Sequence, residues 1–120
     1  MTDNIETGRK GEDIAAGYIL GKGYRILDRN WRFGKNEIDL IARDGSFIVI
    51  IEVKTRLSNY FSEPETAVTR EKQRILVRAA NAYVRNRRLN QEVRFDVIAI
   101  LLDQEKEQIN HIVDAFYATL

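Results

Sequence analysis

With 120 residues, 44% of them hydrophobic, and a net charge of +1, the chain has the size and make-up of one soluble globular domain, spanning 1–120, and not of a disordered segment. It contains no cysteine, which excludes disulfides, cysteine-ligated zinc and a thiol nucleophile, and its one histidine, His111, excludes multi-histidine metal sites. No apolar run approaches the roughly 18 residues of a membrane span, and the start lacks the basic-then-apolar pattern of a signal peptide, so a cytoplasmic protein with no membrane partner is expected.

The first element predicted is a helix over residues 6–20, stopped by Gly21-Lys22-Gly23. Residues 24–32 read as a strand, and Gly34-Lys35 turns the chain into a second, 36–42. The turn Arg43-Asp44-Gly45-Ser46 leads to a third strand, 47–54, and a polar loop follows over 57–65. A long helix begins somewhere between 62 and 69 and ends near 88–90, after which 93–102 and 108–116 read as strands. The fold class is α/β: a three-strand meander, a crossover helix and a further strand imply a mixed sheet flanked by helices.

Two apolar strands of this set carry charges that do not belong on a buried surface: Glu37 and Asp39 on one, Glu52 and Lys54 on the next. With Asp44-Gly45 as a two-residue hairpin loop, Arg43 would face Ser46, Ile41 would face Ile48, Asp39 would face Ile50, and Glu37 would face Glu52. All four charges then share one face, because side chains alternate along a strand. Opposed glutamates repel, and a divalent cation removes the conflict, since hard oxygen ligands suit Mg²⁺ or Mn²⁺. Glu12 lies at the centre of the helical stripe Ile5, Gly8, Ala15, Ala16 and Ile19, where a carboxylate is costly unless paired or liganded. A buried salt bridge to Lys54 or an arginine would also satisfy it. The candidate metal ligands are Asp39 and Glu52, with Glu12 and Glu37, and Lys54 could orient a water or neutralise charge on a phosphate. Lys54 also has a plainer reading, as an ion-pair partner of Glu52.

These residues resemble the PD-(D/E)XK nuclease superfamily and, more closely, its small YraN-like family of uncharacterised bacterial proteins. The resemblance rests on Gly8-Arg9-Lys10-Gly11-Glu12, Asn30-Trp31-Arg32, Glu37-Ile38-Asp39-Leu40-Ile41-Ala42, Glu52-Val53-Lys54-Thr55-Arg56, Lys72-Gln73 and Arg94-Phe95-Asp96, across nearly the whole chain. Asn36 stands where that family usually has glycine. The resemblance implies a restriction endonuclease-like core with Glu12, Asp39, Glu52 and Lys54 as the catalytic set, as in archaeal Holliday-junction resolvases. It also implies branched DNA as a substrate class.

Residues 70–94 hold Arg70, Lys72, Arg74, Arg78, Arg85, Arg87, Arg88 and Arg94 against only Glu71 and Glu92, a directed basic block. At 100° per residue, Arg70, Arg74, Arg78, Asn81, Arg85 and Arg88 fall within about a quarter of the helix circumference, opposite Ile75, Ala79, Ala82 and Tyr83. Such a stripe either tracks a phosphate backbone or is a solvated face. Lys72 lies among the inward positions and is expected near the acids. Arg56, Lys72, Arg70, Arg74 and Arg78 are the candidate nucleic-acid contacts. Tyr60 and Phe61 could stack on bases, pack under their loop or meet a second copy. His111 and the pair Arg94 and Asp96 are expected to be structural. The function expected is metal-dependent hydrolysis of DNA phosphodiester bonds by an endonuclease, with a homodimer as one way to place two nicks. A non-catalytic nucleic-acid-binding or protein-interaction module keeping the fold is the alternative.

Overall fold

A computed structural model describes residues 2–57, 68–103 and 106–117. The elements run α1 (Thr2–Gly21), β1 (Arg25–Phe33), β2 (Asn36–Asp44), β3 (Phe47–Leu57), α2 (Arg70–Asn86), β4 (Glu92–Asp103) and β5 (Lys106–Phe116). The strands form one sheet in the order β1-β2-β3-β4-β5, with β3 and β4 parallel across the α2 connection and the other neighbours antiparallel. This is the mixed α/β order expected from the hydrophobic pattern.

Local chemistry sets the ends of these elements. Gly23, at φ +91°, closes α1: its N–H donates to Leu20 O and the Tyr24 N–H donates to Ile19 O, which satisfies the last carbonyls. Helix α2 starts at Arg70, at the late edge of the expected window, because Thr69 caps it; the threonine Oγ1 accepts the Lys72 N–H at 3.1 Å.

The β2–β3 hairpin differs from the expected register by two residues. Asp44 pairs with Phe47, so the loop is Gly45-Ser46, with Gly45 at φ +58° in the first loop position that favours glycine. A two-residue shift keeps every side chain on its face, which is why the core pattern survives the correction.

The sheet buries both faces. On one, Ala15, Ala16 and Ile19 of α1 pack on Leu40, Ala42, Val49, Ile51, Ile98 and Ile100. On the other, Leu76, Ala79, Ala80 and Tyr83 of α2 cover Ile38, Ile41, Ile48, Ile50 and Phe95. Burial on both sides accounts for the unbroken apolar run of β3. Ile5, expected on the packed stripe of α1, is exposed at 62%, so the helix begins beyond the sheet. Gly11 marks where it makes contact: a Cβ there would collide with the Oγ1 of Thr55 on β3. On α2, Leu76 and Ala80 take the buried places that Ile75 and Ala82 were expected to share with Ala79 and Tyr83.

A buried polar cluster ties β4 to the α1 side. Arg94 donates to both oxygens of Asp96 (2.9 and 3.0 Å), to Asp44 (2.9 Å) and to Tyr24 Oη (2.8 Å). His111 Nε2 lies 2.8 Å from Asp96, its Nδ1 lies 3.2 Å from Tyr18 Oη, and the Asp114 N–H donates to Asp96 at 3.0 Å. Burial alone would raise the Asp96 carboxyl, but the hydrogen bonds from His111, Arg94 and the Asp114 amide outweigh it and hold the group below the usual carboxylate value. His111 and the Arg94–Asp96 pair are therefore structural, as expected.

Three outcomes are expected from urea unfolding. Gly17 faces open space, so Gly17→Ala should gain about 0.5–1 kcal/mol through helix propensity, while Gly11→Ala should lose about 1–3 kcal/mol through the clash with Thr55. Asp96→Asn should cost about 3–5 kcal/mol at pH 7, because the buried Arg94 would keep only the more exposed Asp44 as an ionic partner. A depressed carboxyl contributes its stability above the unfolded value, so this loss should vanish as the pH falls through the folded one.

Candidate functional site: a carboxyl pair where two strands part

Strands β2 and β3 are laddered only from Asp44–Phe47 to Leu40–Ile51. Beyond that, residues 36–38 pair with β1 alone and residues 52–57 with β4 alone, so the two strands part. Asp39 and Glu52 are the first residues past the last laddered pair, one on each side of the fork. Asp39 Oδ2 accepts the Val53 N–H at 2.8 Å, so a side chain meets the β3 amide just past the end of the β2–β3 ladder. Glu37, expected opposite Glu52, is instead exposed and lies across from Arg32 on β1.

The regular alternation of side chains breaks at this point. Ile38 lies in the α2 layer while Leu40, two residues on, lies in the α1 layer. The same switch occurs on β1, where Arg29 reaches Asp13 of α1 at 2.7 Å and Trp31 stands edge-on to Tyr83 of α2 at 5.1 Å. Asn30 sits between them with φ +51°, bracketed by the pairs Arg29–Leu40 and Trp31–Ile38 that also bracket Asp39. Both strands thus turn over at one level of the sheet.

Burial strips water from the Asp39 carboxyl, and the charges of Glu52 and Glu12 add to that effect. Together they push it up to about 7 against the opposing pull of the Val53 N–H and Lys72. Glu52 is raised as well, by burial first, with Lys72, its hydrogen bond to Asp39 and Lys54 working the other way. The two carboxyls face each other, and both are raised, so the pair favours keeping a proton that an added cation would displace. Lys72 Nζ stands 3.9 Å from Glu52 Oε1, the inward approach expected from its helix position.

Glu12 enters from α1. The Asn30 amide donates to its Oε1 at 3.1 Å, and its charge acts on both Asp39 and Glu52. The Gly11–Thr55 contact fixes that part of the helix against β3. Among the described residues no three acidic or imidazole groups are gathered as a ready-made metal cage. Two converging carboxyls with a third nearby nevertheless fit Mg²⁺, which keeps several waters and takes one or two protein carboxylates.

The basic residues divide. Lys54 follows Glu52 on β3 and lowers its carboxyl, and Arg56 donates to Thr55 O at 3.1 Å farther along the same strand. Arg70, Arg74 and Arg78 are exposed on the side of α2 opposite Leu76, Ala79 and Tyr83, turned away from the fork. Tyr60 and Phe61 lie outside the described residues. Sequence reasoning gave no role to Asn30, the Val53 amide or Gly11. Asparagine in a strand and glycine in a helix interior, both unfavoured there, are the signals that marked two of them.

A mixed sheet between two helices, with an opposed carboxyl pair at the parting of two strands, defines a small α/β protein built around one acidic site. The chain belongs to uncharacterised protein family UPF0102, whose family model matches residues 11–100 and so spans every site residue named here. It is 49% identical over 113 residues to a UPF0102 protein of Thermodesulfovibrio yellowstonii, covering 94% of this chain and 97% of the relative. It is 43% identical over 117 residues to one of Flavobacterium psychrophilum, covering 98% of each. A third, from Chlorobium chlorochromatii, is 48% identical over 118 residues, covering 93% of this chain and 92% of the relative.

The raised Asp39 carboxyl has a stability consequence. The folded, metal-free chain keeps a proton that the unfolded chain has released, so this group weakens folding as the pH rises from about 4 to about 7. Asp39→Asn keeps an acceptor for the Val53 N–H and removes the charge. With chelator present it should be about 1–3 kcal/mol more stable than wild type at pH 8 by urea unfolding, and the gain should disappear by pH 4. A variant less stable than wild type at pH 8 would mean that the carboxylate is held in a net favourable ion pair.

Proposed function

We propose that the protein is a divalent-metal-dependent endonuclease that hydrolyses phosphodiester bonds in DNA. The observation that carries this reading is the opposed, largely buried pair Asp39 and Glu52, with Lys54 and Lys72 beside it. A structural sheet has no use for two buried carboxyls that repel each other, whereas phosphoryl transfer needs closely set oxygen ligands and neighbouring cations. The preference for DNA, and for branched repair or recombination intermediates within it, rests on the resemblance to resolvases of the PD-(D/E)XK superfamily.

When bound at Asp39 and Glu52, Mg²⁺ or Mn²⁺ would polarise a phosphate oxygen and acidify a water. The carboxyl pair gives up its proton to bind the cation, so affinity should rise with pH through about 7. Glu12 offers a further oxygen to a hydrating water. Lys54 orients the attacking water or meets charge developing on the phosphate, and Lys72 can exchange its long contact with Glu52 for a phosphate oxygen.

A second reading, a nucleic-acid-binding module that does not cut, draws on the exposed arginines of α2. They lie away from the fork, none is in an ion pair among the described residues, and they require no metal to meet a phosphate backbone.

The purified chain should cut branched DNA with Mg²⁺ or Mn²⁺, and Asp39→Asn should lower the rate at least about a hundredfold. Equal cutting by wild type and variant would assign the activity to a contaminant or another site. If calorimetry finds no cation binding at millimolar concentration, the metal-free module is the better reading. Arg70→Ala, Arg74→Ala and Arg78→Ala together should then still weaken DNA binding and flatten its salt dependence.

A further inference from the structure

We infer that Asn30 is a positioning residue: its side-chain amide holds Glu12 over the fork, so that the α1 carboxylate faces the cation held by Asp39 and Glu52. This rests on the metal-site reading above and extends it to a residue outside the acidic set. The Glu12 carboxylate accepts from Asn30, whose Nδ2 donates to Oε1 at 3.1 Å.

The backbone supports the assignment independently. Among the described residues, three that are not glycine have positive φ: Arg88 just past α2, Asp114 within β5 and Asn30 within β1. A left-handed residue inside a strand interrupts the pleat. Asn30 does so at the level of Asp39, bracketed by the Arg29–Leu40 and Trp31–Ile38 pairs. Turning the strand over there lets Arg29 and Asn30 both reach α1, at Asp13 and Glu12, while Trp31 returns to the α2 layer. Asparagine is among the few side chains that tolerate this conformation, and it brings a donor that glycine lacks. Strain of this kind persists where the surroundings over-determine it, and here the surroundings are the proposed site. On the other side, the Gly11–Thr55 contact stops the helix from drifting, so the Asn30 amide has only the side-chain torsions of Glu12 left to fix. A donor that orients a metal-facing carboxylate acts through its neighbour and touches neither substrate nor ion.

The test is calorimetric titration of Mn²⁺ into the full chain as wild type, Asn30→Gly, Asn30→Asp, Glu12→Gln and Asn30→Gly with Glu12→Gln. Glycine keeps the left-handed backbone and removes the amide; aspartate keeps the backbone tolerance and cannot donate. Both should weaken Mn²⁺ binding about tenfold, as loss of an outer partner of a metal ligand does. In the Glu12→Gln background, Asn30→Gly should have no further effect, because the two residues act as one unit. Without metal, the Asn30 side-chain amide resonances should move on Glu12→Gln.

Wild-type affinity in both single variants, or losses that add in the double variant, would overturn the role of Asn30 and leave the metal site standing. A wild-type chain that binds no Mn²⁺ would overturn the metal site itself, and the role of Asn30 with it.

Discussion

Two carboxyl groups facing one another at the point where β2 and β3 separate set the conditions that the rest of this site must meet. Burial penalises the charge of both, and the charge of Glu52 raises Asp39 further, so the pair favours keeping a proton or taking a cation. Three neighbouring groups moderate that conflict and one sharpens it. The Val53 N–H supports Asp39, Lys72 and Lys54 lower Glu52, and Glu12 adds a third negative charge that raises both. The ladder ends at Leu40–Ile51, so the parted strands give these side chains room that a continuous sheet would fill with backbone hydrogen bonds.

The contrast with the second buried acid clarifies what each is for. Asp96 is fully buried, more so than Asp39, yet its carboxyl is held low because Arg94, His111 and the Asp114 amide all donate to it. It is a satisfied joint between β4, β5 and the α1 side, and any change to it should be felt as lost stability. Asp39 has one backbone donor and two acidic neighbours, and its carboxyl is held high. A folded chain that keeps such a group gives up stability locally, which is the pattern expected where chemistry and not packing sets the residue.

Much of this was legible in the residues because burial and charge conflict openly in an apolar strand. The element order and the two-sided core of β3 follow from hydrophobic periodicity, and the shared face of Asp39, Glu52 and Lys54 follows from alternation. The register did not follow, since Asp44-Gly45 and Gly45-Ser46 are both acceptable two-residue loops and only packing chooses between them. That two-residue difference moved Asp39 opposite Glu52 and left Glu37 exposed beside β1. Asn30 and Gly11 stand in motifs of the resemblance, but their roles were out of reach: each makes a contact with an element distant in sequence, Glu12 for one and Thr55 for the other. The arginine stripe of α2 was legible as a stripe, but its direction depends on which residues the helix buries, and those place it away from the fork.

The most direct measurement is the backbone amide spectrum of the isotopically labelled chain during titration with Mn²⁺ near pH 7.5. Paramagnetic broadening that saturates and centres on the amides of Asn30, Asp39, Leu40, Glu52 and Val53, and that is lost when Asp39 and Glu52 are both neutralised, is the result expected of a cation held in the fork. Broadening that never saturates, or that follows exposed acids such as Asp13, Glu92 and Asp103 while the fork amides stay sharp, would contradict it.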